Sequence, residues 1–319
     1  MNAPRFRTLD EVAYGAVEAV SPSIRRVIAP NPSKFTYRGT GTYLVGHGDV
    51  VVIDPGPLLD SHREALAAAL AGERVLAILV THCHADHSPL AAWLHAETGA
   101  PTFGFGPHPR PAAGTVPDEP AGDDGTGDED GGEVQVEEST DHDFVPTEAV
   151  VDGDLVVATK ALTIHAVHTP GHTSNHICWS LAEESALFTG DHVMGWSTTV
   201  VSPPDGDMAA YVDSLRKVAG RDDAVLWPTH GPPRDDAREY VEALIRHRLE
   251  REAAVLEALR AGHHTIAGIV AVLYADVREE LHKPAGATVW AHLSKLVDEA
   301  AVAVDGGGPA RLDATYHAV

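Results

Sequence analysis

Four side chains that commonly bind metal ions stand close together in the segment THCHADHSPL, which spans residues 81–90. They are His82, His84, Asp86 and His87, and they directly follow the apolar run VLAILV. Imidazole nitrogens and carboxylate oxygens suit Zn²⁺, and a carboxylate also balances the charge of the ion. A single histidine is usually an ordinary polar residue, but four such residues at one strand end indicate a metal site.

Three further candidate ligands stand at the ends of later predicted strands. HTPGHTSNH contains His172, LFTGDHV contains Asp191 and LWPTHGPP contains His230. Each lies beside a glycine or another small residue, which lets the backbone approach a crowded site. Other histidines of these segments leave the assignment open, namely His165, His168, His176 and His192. The last of these is next to Asp191 and is a candidate for supporting the site without binding an ion.

The elements that must position these residues alternate between strands and helices. GTYLVG and DVVVIDPG predict a hairpin with Gly48 and Asp49 in the turn. VLAILV predicts a strand that is covered on both faces. SPLAAWLHAETG predicts a helix with Ser88 as its N-cap and Gly99 beyond its end. Strands return after residue 143 and lead to the later candidate ligands.

The C-terminal part of the chain has a different pattern, in which three predicted helices precede two short strands around a Gly-rich turn. This is the order of a winged helix. We therefore predict one domain over residues 1–240, which carries the candidate site, and a winged-helix-like domain over residues 241–319. Within the first domain, residues 114–143 hold 12 acidic residues and no Lys or Arg. Their composition predicts a disordered surface insert.

Composition and charge restrict the classes of function and the compartment. The 319 residues carry a formal net charge of −24, so most of the surface repels nucleic acid phosphates. Two cysteines, Cys83 and Cys178, are too few for a disulfide framework and favour a reducing compartment. The sequence has no apolar segment typical of a signal peptide or a membrane span, so we expect a cytoplasmic protein without a membrane partner.

The motifs T-H-x-H-x-D-H, T-P-G-H-T, F-T-G-D and H-G-P occur in this order between about residues 40 and 235. Together they resemble the successive motifs of the metallo-β-lactamase superfamily of hydrolases. The resemblance implies an α/β fold, the αββα sandwich, in which two mixed sheets pack face to face with helices outside. It also implies two Zn²⁺ ions as cofactors, with iron or manganese as alternatives.

The resemblance further implies two sets of metal ligands and one bridging carboxylate. The set for the first ion is His82, His84 and His172. The set for the second ion is Asp86, His87 and His230. Asp191 would bridge the ions, and Asp86 would be the catalytic residue that orients a metal-bridging hydroxide. Asp54, in VIDPGP, matches the family's aspartate that orients the site without binding metal.

Within the superfamily, the whole chain is most similar to the β-lactamase-like protein 2 group, which combines the hydrolase core with a C-terminal winged helix. The metal motifs also resemble those of glyoxalase II, but the C-terminal glutathione-binding helices of that family are not recognisable. Antibiotic-hydrolysing enzymes of the commonest kind carry a cysteine where Asp191 stands here. Hydrolysis of antibiotics is therefore not expected.

Two functions of different class follow from the resemblance. The first is hydrolysis of a small thioester, lactone or ester, and the second is cleavage of single-stranded RNA, as in a related animal enzyme. Residues 250–319 contain six Lys or Arg against ten Asp or Glu, whereas a winged helix that binds nucleic acid usually needs a basic face. We therefore expect a small-molecule substrate and interpret the C-terminal domain as a lid or a homodimerisation element.

Aromatic and basic residues beside the ligand-bearing strands are candidates for the border of the substrate pocket. They are Lys34, Phe35, Tyr37, Arg38 and Trp196. This prediction rests on their positions beside the strands that carry the candidate ligands.

Overall fold

A computed structural model describes residues 4–9, 11–109, 139–275 and 282–319 of the chain. The predicted disorder of residues 114–138 lies outside the described residues.

The first sheet has seven strands, ordered from β1 to β7 as they occur in the chain. These are β1 (Val17–Ala19), β2 (Ile24–Ile28), β3 (Gly41–His47), β4 (Asp49–Ile53), β5 (Arg74–Leu79), β6 (Thr102–Gly104) and β7 (Glu148–Ala149). The first four strands pair antiparallel, and β4 to β7 pair parallel. The predicted hairpin of β3 and β4 is confirmed, but its turn is Gly48 alone, because Asp49 already belongs to β4 and pairs with His47.

The second sheet has five strands in the order β12-β11-β10-β9-β8. They are β8 (Leu155–Ala158), β9 (Thr163–His168), β10 (Ile177–Leu181), β11 (Ala186–Gly190) and β12 (Val225–Pro228), and a short 3₁₀ helix (Ala182–Glu184) joins β10 to β11. β11 and β12 pair parallel, and the other neighbours pair antiparallel. Both sheets are therefore mixed, as predicted.

The two sheets pack face to face, and alternate residues of each strand point to opposite faces. On β4, Ile53 belongs to the buried cluster between the sheets, together with Trp179 and Phe188 of the second sheet. Val52 points the other way, into a cluster with Leu66 and other residues of the outer helices. Burying both faces removes a large apolar area from water and stabilises the sandwich.

Two helices cover the outside of each sheet, which completes the αββα order. Helices α1 (Asp60–Ala69) and α2 (Leu90–Thr98) cover the first sheet, and α3 (Met208–Ala219) and α4 (Ala237–Arg260) cover the second. Helix α2 ends at Gly99 in the left-handed conformation (φ 70°), as predicted. The predicted N-cap is wrong, because α2 begins after Pro89 and the Ser88 hydroxyl bonds elsewhere.

The C-terminal region is a winged-helix arrangement joined to the sandwich by one long helix. The first half of α4 packs against α3, and its second half packs against α5 (Ile266–Leu273) and α6 (His282–Asp298). A hairpin of β13 (Val302–Val304) and β14 (Tyr316–Ala318) closes this second core. Helix α4 therefore continues across the predicted boundary at residue 240. No described helix is both long and apolar enough to cross a membrane.

Candidate metal centre

Three imidazoles converge beyond the end of β5 and form a first cluster. The strand ends at Leu79, so His82 and His84 lie in the following loop rather than on the strand. The Nε2 atom of His82 lies 2.9 Å from Nδ1 of His84, and Nε2 of His172 lies 3.2 Å from the same atom. These three buried residues could hold one metal ion.

A second cluster lies beside the first and contains Asp86, His87 and His230. The Oδ2 atom of Asp86 is 3.3 Å from Nε2 of His87 and 3.1 Å from Nε2 of His230. Their ligand atoms all lie within 4.8 Å of one another, so this cluster could hold a second ion.

Asp191 stands between the two clusters, with one carboxylate oxygen toward each. Its Oδ1 atom is 3.7 Å from Nε2 of His87 and 3.4 Å from Nε2 of His230. Its Oδ2 atom is 3.9 Å from Nε2 of His172 in the first cluster. A carboxylate in this position is able to bridge two cations. All seven residues that the sequence singled out are thus brought together.

Buried atoms without partners test whether a cation fits this site. Nε2 of His87, Nε2 of His230 and Oδ1 of Asp191 are buried and make no hydrogen bond. Buried polar atoms are nearly always satisfied, so three such atoms facing one another need an explanation. A cation among them would be the missing partner, and the nitrogen and oxygen donors are those that Zn²⁺ accepts.

The opposite ring nitrogens of these histidines are held by the protein. Nδ1 of His172 donates to the Val200 carbonyl at 2.7 Å, and Nδ1 of His230 donates to the Gly39 carbonyl at 3.2 Å. Nδ1 of His87 lies 2.9 Å from Oδ2 of Asp54. Such hydrogen bonds fix the tautomer and leave Nε2 with a lone pair for a metal.

The charges of the site favour the metal-binding protonation states of its two aspartates and of one imidazole. Burial acts to raise the pKa values of Asp86 and Asp191, but the nearby His87 and His230 imidazoles hold both well below the ordinary value. Burial and the neighbouring imidazoles lower the pKa of His82 well below its ordinary value. Ionised carboxylates and a neutral imidazole are the ligand forms of these groups. Burial acts to lower the pKa values of His87 and His230, but the carboxylates of Asp86 and Asp191 raise the first well above its ordinary value and the second to about 9. A metal ion must therefore displace a proton from each of these two imidazoles.

Asp54 ties together the strand ends that carry the clusters, as predicted for a supporting residue. It is fully buried, and its carboxylate accepts hydrogen bonds from the Thr81 backbone N–H and hydroxyl, both at 2.8 Å. It also accepts from the Thr229 hydroxyl at 2.9 Å, besides its bond to His87. One carboxylate therefore links the ends of β4, β5 and β12.

His62 of helix α1 supports the turn at Asp54 from behind. The Thr42 hydroxyl donates to the Asp54 carbonyl at 2.7 Å, so its oxygen accepts from Nε2–H of His62 at 2.9 Å. His62 is completely buried, and burial lowers its pKa from 6.5 to about 4. The folded protein therefore favours the neutral imidazole.

We expect His62 to make the metal-free protein less stable in acid. The unfolded state takes up a proton below pH 6.5, whereas the folded state does so only near pH 4, so stability falls as the pH drops through this window. Between pH 7 and pH 4.5 the loss is about 2–3 kcal/mol. Urea unfolding in chelator at both pH values measures it. We expect His62→Gln to remove the stability loss that comes from His62, whereas His47→Gln, at an exposed position, keeps it. If the unaltered protein and both variants lose the same stability between these pH values, His62 is not the group responsible.

The other candidate histidines lie outside the clusters. Nε2 of His176 accepts from the Asp191 backbone N–H at 3.3 Å, so His176 positions Asp191 from behind. His192 packs against the Tyr211 ring at 5.2 Å. His168 stacks on the Phe105 ring at 4.0 Å, and His165 is half-buried on β9. None of the four belongs to a metal-capable group in the described ranges.

Sequence reasoning missed three hydrogen bonds around the ligand loop. The Thr40 hydroxyl donates to Oδ2 of Asp86 at 2.8 Å and fixes that carboxylate. Residues 139–143 differ from the predicted disorder, because they run along the loop. The Asp141 N–H donates to the Cys83 carbonyl at 2.7 Å, and the Ser88 hydroxyl donates to Oδ2 of Asp141 at 2.6 Å. No local pattern in the sequence predicts any of these hydrogen bonds.

Glycine is required where the backbone approaches the clusters, as expected. Gly190 has φ +50°, and a Cβ there would lie 2.7 Å from both Thr81 Oγ1 and His176 Nε2. Gly171 has φ +136°, and a Cβ there would lie 2.3 Å from Tyr211 Cα. Both positions combine a left-handed backbone with no room for a side chain.

Comparison with known proteins agrees with this geometry. Residues 37–230 match the family model for the metallo-beta-lactamase superfamily. The chain belongs to this superfamily. Residues 265–310 match the beta-lactamase associated winged helix domain. The protein is therefore a metallo-hydrolase of this superfamily with its C-terminal winged helix, and its buried His and Asp clusters are typical of a dinuclear site.

Relatives of this chain include a thioesterase and a homologue of beta-lactamase-like protein 2. An atrochrysone carboxyl ACP thioesterase of Aspergillus chevalieri is 31% identical over 271 residues, which cover 83% of this chain and 75% of the relative. A beta-lactamase-like protein 2 homolog of Caenorhabditis elegans is 30% identical over 269 residues, covering 82% and 79%.

A solved structure shares the fold over nearly the whole chain. A beta-lactamase domain protein from Burkholderia ambifaria has a TM-score of 0.74 and 22% identity, and the match covers 97% of this chain and 96% of the other.

Proposed function

We propose that the protein is a dinuclear zinc hydrolase that acts on a small thioester, lactone or ester, with thioesters as the leading class. The observation that carries this proposal is the position of Asp191, whose two carboxylate oxygens face the two clusters. The similarity to thioesterases at 31% identity supports an acyl substrate.

The residues would divide between the ions as their clusters do. His82, His84 and His172 would hold one ion, Asp86, His87 and His230 the other, and Asp191 would contact both. When bound, such ions lower the pKa of a water molecule and stabilise negative charge on a carbonyl oxygen. Iron and manganese accept the same donors, but the predominance of imidazoles favours Zn²⁺.

Asp86 has the role of orienting the attacking water and moving its proton. The Thr40 hydroxyl holds Oδ2 of Asp86, which fixes the direction of the carboxylate. Because its pKa is held low by His87 and His230, the carboxylate is ionised and ready to accept a hydrogen bond from water. It can then deliver a proton to the departing thiol or alcohol.

The alternative is cleavage of single-stranded RNA, which the winged helix and the beta-lactamase-like protein 2 relative suggest. The charges of the C-terminal domain disfavour it. Lys295 of α6 contacts Glu252 and Glu299, both at 2.9 Å, and Arg260 contacts Glu257 at 2.6 Å. Cations that are already paired with acids are poor phosphate ligands, and a lid or homodimerisation role fits this domain better.

A substrate panel distinguishes the two activities. The metal-loaded protein and its Asp86→Ala variant are assayed on acyl thioesters, lactones and a labelled single-stranded RNA. We expect turnover of acyl substrates that the substitution abolishes. RNA cleavage that is lost in the same variant, without acyl turnover, would establish the nuclease instead.

Two aromatic residues at the border of the site are expected to contribute to substrate affinity. The rings of Tyr37 and Trp196 stack with centroids 4.7 Å apart, and Gly231, next to His230, lies against Trp196. We expect Tyr37→Ala and Trp196→Ala each to raise KM about threefold to tenfold, because each removes apolar contact area. Steady-state kinetics measure this effect, with Tyr14→Ala at an exposed site as the control. An unchanged KM in both variants would place the pocket elsewhere.

A further inference from the structure

A cavity lies between the sandwich and the C-terminal domain. It has a volume of about 360 Å³, which is within the usual range for small-molecule sites. Its walls are Lys34 and Phe35, the loop 197–200, and residues of helices α4 and α6. None of these residues belongs to the two clusters of the metal centre.

The cavity is lined by positive charge in a strongly acidic protein. Lys34, Arg248 and Arg251 all line it, and none of its described lining residues is acidic. Within the described part of the chain, none of these three cations forms an ion pair with an acid. The net charge of the chain is −24, so acidic partners are abundant elsewhere. Three cations without an acidic partner at one cavity favour the binding of an anion there.

Arg248 is the most deeply buried of the three cations. It is 3% exposed, and its Nε–H has no hydrogen-bond partner, while one terminal nitrogen donates to the Thr199 carbonyl. A buried guanidinium without an anionic partner is costly, because its charge has lost hydration. The neighbouring His247 also has a buried, unpartnered Nδ1 atom. Both side chains line the cavity, so an anion in it would lie beside the buried Arg248 charge and offset it.

The loop 197–200 connects this cavity to the metal centre. The Val200 carbonyl accepts from Nδ1 of His172, and the Thr199 hydroxyl donates to the Asp191 carbonyl, both at 2.7 Å. Both loop residues also line the cavity. The cavity and the metal centre therefore lie on two sides of one loop.

We propose that this cavity binds a phosphate group of the substrate, which is a thioester whose thiol belongs to a phosphate-bearing arm. This proposal rests on the proposed thioesterase function and names its substrate class. Arginine donors and the Lys34 ammonium recognise phosphate oxygens, and Phe35 and Tyr274 offer apolar surface for the organic part of the arm. A partly open cavity of about 360 Å³ is large enough for one phosphorylated arm but small for a polynucleotide.

Two paired substrates test the proposal on the metal-loaded protein. Acetyl-coenzyme A carries phosphates on its thiol arm, and S-acetyl-N-acetylcysteamine presents the same thioester without them. We expect kcat/KM to be higher for the phosphorylated substrate, and Arg251→Gln and Lys34→Gln each to lower this preference about tenfold, mainly through KM. Arg246→Gln removes one charge from an exposed position of the same helix and is the matched control.

Binding of adenosine 3′,5′-bisphosphate, followed by calorimetry, separates the anion site from catalysis. We expect roughly tenfold weaker binding in Arg251→Gln and no change in Arg246→Gln. Binding that is equal in all variants, or a substrate preference that Arg251→Gln leaves intact, overturns the anion site and leaves the thioesterase standing. If the bisphosphate binds in an Arg251-dependent way but neither thioester is hydrolysed, the thioesterase function is contradicted and the anion site is supported. Arg251-dependent binding of single-stranded RNA, with none of the bisphosphate, overturns the small-molecule assignment.

Discussion

Replacing Asp86 by alanine lowers kcat/KM for a thioester by about 10²–10⁴-fold. Two losses combine in this variant. The second cluster loses its carboxylate, which lies 3.1 Å from His230 and 3.3 Å from His87. The attacking water also loses the group that orients it and accepts its proton. Steady-state kinetics after metal reconstitution, together with the metal content of the same sample, measure both losses.

The control for this prediction is Asp222→Ala, because Asp222 has a side chain that is 99% exposed. Its activity is expected to equal that of the unaltered protein. Asp86→Asn separates the two losses further, since an amide oxygen retains part of the coordination but cannot accept the proton. Near-normal activity in Asp86→Ala would show that the reaction does not use the second cluster.

Replacing Asp54 by alanine destabilises the metal-free protein by about 3–5 kcal/mol. The carboxylate is fully buried and accepts four hydrogen bonds, two from Thr81, one from Thr229 and one from His87. Its removal leaves these donors buried without an acceptor. Urea unfolding in chelator measures the free energy. Asp49→Asn is the control from the same strand, because its exposed ion pair with Arg74 contributes little.

Asp54→Asn isolates the role of the negative charge. Asp54 has φ 48°, a left-handed conformation that asparagine also adopts readily, so the backbone is not strained by this change. We expect zinc affinity to fall about 10–100-fold, because His87 loses the carboxylate that orients and polarises it. Competition with a fluorescent chelator measures this affinity. Unaltered affinity in Asp54→Asn would mean that His87 is positioned by other contacts.

The candidate ligands could be predicted from sequence because each lies at the end of a predicted element. The residues His82, His84, Asp86 and His87 are neighbours in the chain, and a buried apolar strand precedes them. The glycines near His172 and Asp191 indicate that the backbone passes close to other groups, and the structure shows these close approaches. Local patterns of this kind survive folding, since they depend on few distant residues.

The supporting contacts could not be predicted in the same way. Thr40 reaches Asp86 across 46 positions, and Ser88 reaches Asp141 across 53. The Ser88 hydroxyl had a plausible local role as an N-cap, but the longer-range bond to Asp141 takes it instead. The basic cavity could not be predicted either, because Lys34 and Arg251 are far apart in the chain. The residues next to them in sequence do not indicate that the two side chains line the same cavity. Tertiary packing decides such contacts.

The most direct test of the dinuclear site is the metal stoichiometry of the reconstituted protein, measured by mass spectrometry beside the protein concentration. The unaltered protein is expected to bind about two zinc ions per chain, and His84→Ala and His230→Ala about one each, because each variant loses a ligand of one cluster. The control variant His47→Ala, at an exposed position, is expected to bind both zinc ions. A protein that retains no zinc after reconstitution, or binds it equally in all these variants, contradicts the account.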